Sequence, residues 1–249
     1  MTSNPRDTGE HDVGVADIVY PVRPGDINEE LRFSLRSLAA NYPEHGKVWI
    51  VGHVPPWLTG AGTIPGNASA NPRENVYNNI LAACRHPEVS DRFIVMNDDF
   101  FLTEPMATIP VAYRGTLAEH LHLPRLRVNP QSWWRQSLLT TQVCLQAIGY
   151  PEPLSYELHV PFPVVKRRMR DTLEHFAHIT PTNPPQWRTL YGNLHVDDPV
   201  QMPDSKVFRN APVRTPFHST TDLSWRHFKA AFAAMFPEPS PYERQKVRA

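Results

Sequence analysis

Asp17-Ile18-Val19-Tyr20-Pro21-Val22, then Arg23-Pro24-Gly25-Asp26, then Ile27, Leu31, Leu35 and Leu38 at spacings of four, four and three decide the fold. The first stretch is an almost unbroken apolar run, as in a strand covered on both faces. A Pro-Gly turn ends it. Asp26 can accept the first free amides of a helix, and Glu29 three residues on would complete a capping box. The leucine spacing places one apolar face on a helix over 27–41. Lys47-Val48-Trp49-Ile50-Val51-Gly52 is a second strand. Strand, turn, helix and strand in that order begin a parallel, doubly wound α/β sheet.

Outward from this unit, 53–73 is rich in Gly, Pro and Asn and is expected to be a mobile lid. A helix follows at about 74–85. Arg92-Phe93-Ile94-Val95-Met96 is a continuous apolar strand suited to a central position. Residues 103–132 carry no clear period. Helices are expected at 133–148, 163–177 and 224–236. In the last, Trp225, Phe228, Phe232, Met235 and Phe236 form one core-facing stripe. Residues 1–14 are expected to be a disordered lead, and 15–249 a single catalytic domain.

The chain has 249 residues, enough for one large α/β domain. Its 25 basic and 25 acidic residues cancel, so there is no overall electrostatic footprint for nucleic acid or an anionic membrane. The run Lys166-Arg167-Arg168-Met169-Arg170 is a local exception, read as a solvated helix face or a phosphate site. Cys84 and Cys144, both in apolar helical patterns, are expected to be buried thiols rather than a disulfide. Neither an apolar leader nor an apolar stretch of membrane-spanning length is visible, so a cytoplasmic setting is expected. The 27 prolines imply many fixed loops.

Chemistry concentrates at Asn97-Asp98-Asp99, just beyond the third strand. Open α/β sheets bind ligands outside the carboxyl ends of their strands. Two adjacent carboxylates there repel each other unless a cation or hydrogen-bond donors offset them. A hard ion such as Mg²⁺ or Mn²⁺ suits all-oxygen ligands and bridges to phosphates. The plainer reading is a turn in which Asp98 caps the chain. Asp197-Asp198, before Pro199, reads as a turn.

Strand, Asn-Asp-Asp and Phe100-Phe101 together resemble the acidic motif of GT-A sugar-nucleotide transferases. More particularly, the chain resembles the Stealth family, which includes bacterial capsule polymerases and N-acetylglucosamine-1-phosphotransferase. The matching blocks run in order: Asp17 to Tyr20; Asn28-Glu29-Glu30-Leu31-Arg32-Phe33-Ser34-Leu35-Arg36-Ser37-Leu38; Val48 to Val51 with Pro56-Trp57-Leu58; Glu88 to Phe101; Gln136-Ser137-Leu138; His159-Val160-Pro161; and Phe236 to Glu243. Two departures stand out. Val22-Arg23 replaces a Trp of the first block. Lys206-Val207-Phe208-Arg209-Asn210-Ala211 replaces a last block that carries an Asn-Asp pair.

The resemblance implies a GT-A-like domain using a divalent metal (Mg²⁺ or Mn²⁺) and a sugar nucleotide, a UDP-sugar first. Asp98 and Asp99 would hold the metal, with His218 as a late ligand. Asn97 would orient the donor, Arg23 and Asp26 would contact the nucleotide, and Arg188 would neutralise phosphate. His159, with Asp99, is the candidate catalytic residue, a general base toward an acceptor hydroxyl. Arg32 and Arg36 are split between donor binding and surface ion pairs. The expected activity is glycosyl transfer to an acceptor hydroxyl on a glycan, including a polysaccharide, or on a protein. Three alternatives stay open: sugar-1-phosphate transfer releasing a nucleoside monophosphate; glycosylation of a hydroxymethylated DNA base, met by 166–170 and Trp133-Trp134; and a non-catalytic sugar-nucleotide-binding module.

Overall fold

The computed structural model describes residues 15–25, 27–66, 69, 71–180 and 182–244. The lead over 1–14 and the cap expected at Asp26 lie outside the described residues. The chain begins with β1 (Asp17–Val22), α1 (Glu29–Asn41), β2 (Val48–Gly52), β3 (Gly62–Ile64), α2 (Pro72–Arg85) and β4 (Arg92–Val95). Short pieces follow: β5 (Phe100–Leu102), β6 (Ala112–Tyr113), β7 (Gly115–Thr116), α3 (Leu117–Leu121) and α4 (Pro124–Arg127). Then come α5 (Trp133–Ala147), β8 (Leu154–Ser155), β9 (Phe162–Val165) and α6 (Lys166–Phe176). The chain continues with α7 (Trp187–His195), β10 (Val200–Gln201), β11 (Phe217–Ser219) and α8 (Asp222–Met235).

The central sheet has the order β3-β2-β1-β4-β9. Its first four strands are parallel, and β9 runs antiparallel at the edge. Alternation along β1 divides the core. Ile18, Tyr20 and Val22 pack with Leu31, Leu35 and Leu38 of α1. Val19 faces the other side, with Trp49, Val51, Tyr77 and Ile80. Helices therefore cover both faces, and the fold is α/β with a mostly parallel central sheet. From β1 the chain moves outward to β2 and β3, then returns to the other side of β1 for β4. The gap between the carboxyl ends of β1 and β4 is thus the topological switch point, where open α/β sheets hold ligands.

Several local expectations need correction. Asn28 caps α1: its Oδ1 accepts from the Leu31 amide at 3.1 Å. It sits at φ 30, in the left-handed region that Asn tolerates better than most residues. The helix starts at Glu29, and Ile27 is 72% exposed rather than on the buried stripe. Phe228 and Phe232 of α8 and Phe236, which follows it, are buried while Met235 is exposed. Cys84 is buried but Cys144 only partly so, and both are free thiols. Among the described residues no helix is long and apolar enough to cross a membrane.

The stretch read as a lid is partly tied down. Its residues Gly62–Ile64 are the edge strand β3. Leu58 bridges to Glu243, and the Thr59 amide donates to the Tyr242 carbonyl at 2.9 Å. Gly62 is required for packing: a Cβ there would stand 2.4 Å from the Trp49 ring. Overpacking of this kind typically costs about 1–3 kcal/mol. Gly62→Ala is therefore expected to lower the urea unfolding midpoint by that equivalent. An unchanged midpoint would show that β3 is not held against Trp49.

Candidate active site

The turn Asn97-Asp98-Asp99 leaves β4 at the switch point, closed by the Phe100 amide donating to the Asn97 carbonyl at 3.2 Å. Each carboxylate already has a protein partner. Asn28 Nδ2 donates to Asp98 Oδ2 at 3.0 Å, so one amide both caps α1 and holds the turn. Lys206 Nζ pairs with Asp99 Oδ2, to which Ser219 Oγ also donates at 3.4 Å. Glu30 lies close by and accepts from Thr220 Oγ1 at 2.5 Å. Desolvation first, then Asp99, push the Asp98 carboxyl up to about 6. Desolvation, with Asp99 and Asp98, pushes Glu30 up to about 7.

Beside the turn, a cleft of about 450 Å³ is lined by Asn97, Glu157, His159, Arg188, Trp134 and Arg73 among others. Arg188, on the first turn of α7, is only 8% exposed. Its guanidinium lies 4.3 Å over Trp187 and 5.7 Å over Phe100. Nη2 makes only a long contact, 3.5 Å, with Asn97 Oδ1, and buried Nε has no hydrogen-bond partner. Burial lowers its pKa, opposed by Glu157, Asp99 and Asp204. Buried Glu157 accepts from the Thr189 amide and hydroxyl. Burial raises its pKa, and Arg188 counters that.

His159 stands on the wall of the same cleft, edge-on to Phe100. Asp204 Oδ1 accepts from His159 Nδ1 at 2.9 Å and from its backbone amide at 3.1 Å. If Nδ1 carries the proton, Nε2 is the free base, the arrangement used to orient a general base. Burial alone would raise the Asp204 pKa, but the bonds from His159 and the Lys206 amide hold it well below the carboxylate range.

Of the residues named from sequence, Asn97, Asp98, Asp99, His159 and Arg188 gather at one end of the sheet. Asp26 lies outside the described residues, and His218 faces elsewhere. The pleat of β11 turns Ser219 toward Asp99 and His218 to the opposite side. The His218 ring packs among Phe101, Phe228 and Phe232, and its Nδ1 accepts from the Arg214 amide. Arg23 is exposed and pairs with Asp222, near enough to Asp98 to lower its pKa. Arg32 and Arg36 pair with Glu243, and Arg36 makes the shorter contact, at 2.7 Å. The basic run lies away from the cleft. Strand β9 runs back along β4, pairing Val165 with Arg92, so α6 starts at the amino end of the sheet. There Lys166 Nζ donates to the carbonyls of His86 and Val89. A hollow of about 540 Å³ at that end, lined by Arg92, Arg168 and Asp197, gathers no comparable set of buried charges.

His218 is turned away from Asp98 and Asp99, so the three ligands expected of a divalent ion do not converge. No group of three or more His, Cys, Asp or Glu is placed to hold one among the described residues. Lys206 and Asn28 already occupy an oxygen of each adjacent carboxylate. The expected metal set Asp98, Asp99 and His218 is therefore not assembled. Asp204 carries no local signal in the sequence, and Lys206 shows only as the first residue of a departing block; both sit in an aperiodic loop far along the chain from their partners.

His218 carries a pH prediction. Burial, then Arg214, pull its pKa down to about 4, below an unfolded value of about 6.5. Its contribution to stability is complete above about pH 6.5 and drains as the pH falls toward 4, because only the unfolded chain takes up the proton. His218→Asn keeps an acceptor for the Arg214 amide. It is expected to flatten the stability profile across that window by about 3 kcal/mol in urea titrations. Parallel profiles for the two proteins would refute it.

No protein-family model matches the chain, and no curated protein matches it. Among solved structures, a galactosyltransferase, LgtC, in complex with donor and acceptor sugar analogues is similar to it. The TM-score is 0.43 and the identity 10%, over 72% of this chain and 70% of that one.

Proposed function

We propose that this chain is a sugar-nucleotide transferase of GT-A-like design, with a UDP-sugar as the first donor to test. The carrying observation is a nearly buried arginine, Arg188, with an unpartnered Nε, on the same cleft as an aspartate-held histidine. A buried cation short of partners suits an anion that arrives with the ligand, and the planar guanidinium fork matches phosphate. Arg188 would take the donor diphosphate, with Asn97 orienting it. Arg23 would reach the nucleotide from the exposed rim.

In glycosyl transfer the acceptor oxygen attacks the anomeric carbon as its proton passes to His159. The bond from that carbon to the diphosphate breaks, and a nucleoside diphosphate leaves. The likeness of the sequence to the Stealth blocks supports a second reading. There the acceptor attacks the sugar-bearing phosphorus, the P–O–P link breaks, and a nucleoside monophosphate leaves. Incubation with a panel of sugar nucleotides and candidate acceptor glycans, followed by chromatography of the released nucleotide, separates the two. Release of UDP supports the first reading and UMP the second. Neither turnover nor thermal stabilisation with any sugar nucleotide would reject both.

A further inference from the structure

Asp99 already has a cation on it. Lys206 Nζ pairs with Asp99 Oδ2, and both side chains are largely buried, 12% and 17% exposed. The ammonium is delivered from a fixed frame. Lys206 bridges Ser219, the Val207 amide donates to the Ser219 carbonyl at 2.8 Å, and the Lys206 amide donates to Asp204 at 3.3 Å. Ser219 Oγ adds a second donor on the same Asp99 oxygen.

A magnesium ion needs near-octahedral oxygen ligands at short range. To reach Asp99 Oδ2 it must displace Lys206, leaving a buried ammonium without its partner, which is strongly unfavourable. On Asp98 it must compete with the Asn28 amide. We infer that Lys206 is the resident counter-cation of the acidic turn, standing in for a divalent ion, and that donor diphosphate binds here without metal. An ammonium has three donor hydrogens; Asp99 takes one, leaving capacity for a phosphate oxygen. The statement about the donor rests on the sugar-nucleotide reading; the statement about the ion does not.

The first measurement is therefore Mn²⁺ binding by electron paramagnetic resonance on chelator-treated full-length protein. Wild type is expected to bind Mn²⁺ only weakly. Lys206→Met is expected to bind it at least tenfold more tightly, because the carboxylates have lost their counter-charge. Lys206→Arg should behave as wild type, and thermal melts would show whether each variant folds. The second measurement is UDP binding by calorimetry, with EDTA and with Mg²⁺. Wild-type affinity is expected to be the same within threefold, and Lys206→Met to bind at least tenfold more weakly in EDTA. Tight Mn²⁺ binding by wild type that is lost in Asp99→Asn would overturn the inference, even if Lys206→Met fails to fold. So would a tenfold loss of UDP affinity in EDTA. If UDP binds under neither condition while the Mn²⁺ results hold, the donor reading fails and the assignment of Lys206 stands.

Discussion

His159→Ala is expected to lower transfer by roughly 10²–10⁴-fold, the usual contribution of a general base. Donor affinity should be nearly unchanged, since the proposed phosphate partner is a different side chain of the cleft, Arg188. The acceptor hydroxyl is a poor nucleophile until its proton is removed. His159 is the imidazole proposed to take it, with Nδ1 engaged by Asp204 at 2.9 Å. Asp204 is then a positioning residue. Asp204→Ala should lower the rate less than His159→Ala, because the ring keeps its Nε2 and loses only the acceptor that orients Nδ1. Asp204→Asn, which keeps an acceptor for Nδ1–H, should recover part of the rate. Donor binding and single-turnover transfer measured on each variant decide the matter. Loss of donor affinity with no separate rate defect in His159→Ala would make His159 a donor-binding or structural group.

The parts of the fold legible in sequence were those with long, continuous apolar runs. Strands β1, β2 and β4 are covered on both faces, so they read as unbroken hydrophobic stretches, and the leucines of α1 follow the helical period. The helix expected at 163–177 starts only at Lys166, and Phe162–Val165 is strand β9, against which Pro163 argues. Its place at the sheet edge explains the tolerance, since a missing backbone donor can face outward there. Helix α7 lacks a side-chain cap at Gln186 and has Gly192 inside it, so neither its start nor its interior announces a helix. A Cβ at Gly192 would meet the Tyr156 ring at 2.4 Å, so the glycine answers to packing rather than to helix propensity.

The same division holds at the site. Asn97, Asp98 and Asp99 are legible because they follow directly on a central strand. Asp204 and Lys206 are not, because one loop supplies both: the first to His159, the second to Asp99. That loop joins the proton-accepting side of the cleft to the acidic turn. Its meaning lies in contacts 45 and 107 residues apart, which no local pattern encodes.

Arg188→Met is expected to weaken UDP binding by about 10²-fold, the loss of two charge-assisted hydrogen bonds at about 1.5 kcal/mol each. The argument begins from the unbound protein. Arg188 holds a nearly buried positive charge against two aromatic faces, with one long contact to Asn97 and no partner on Nε. Glu157, the opposite charge with the largest effect on its pKa, already accepts from the Thr189 amide and hydroxyl. A guanidinium so incompletely hydrogen-bonded, with Glu157, Asp99 and Asp204 acting on it through space, keeps donors for an anion that enters the cleft. Methionine fills much of the same volume without the charge, but it leaves buried Glu157 without the cation that opposes its raised pKa, so stability is measured beside binding. Arg188→Lys should recover less than half of the lost binding energy, because a point charge cannot reproduce the fork that meets two phosphate oxygens. Calorimetry with UDP in EDTA, beside urea unfolding of each variant, makes the comparison. Unchanged UDP affinity in a folded Arg188→Met protein would remove phosphate from this cleft. A large fall in stability with affinity intact would make Arg188 the buried counter-charge of Glu157 and nothing more.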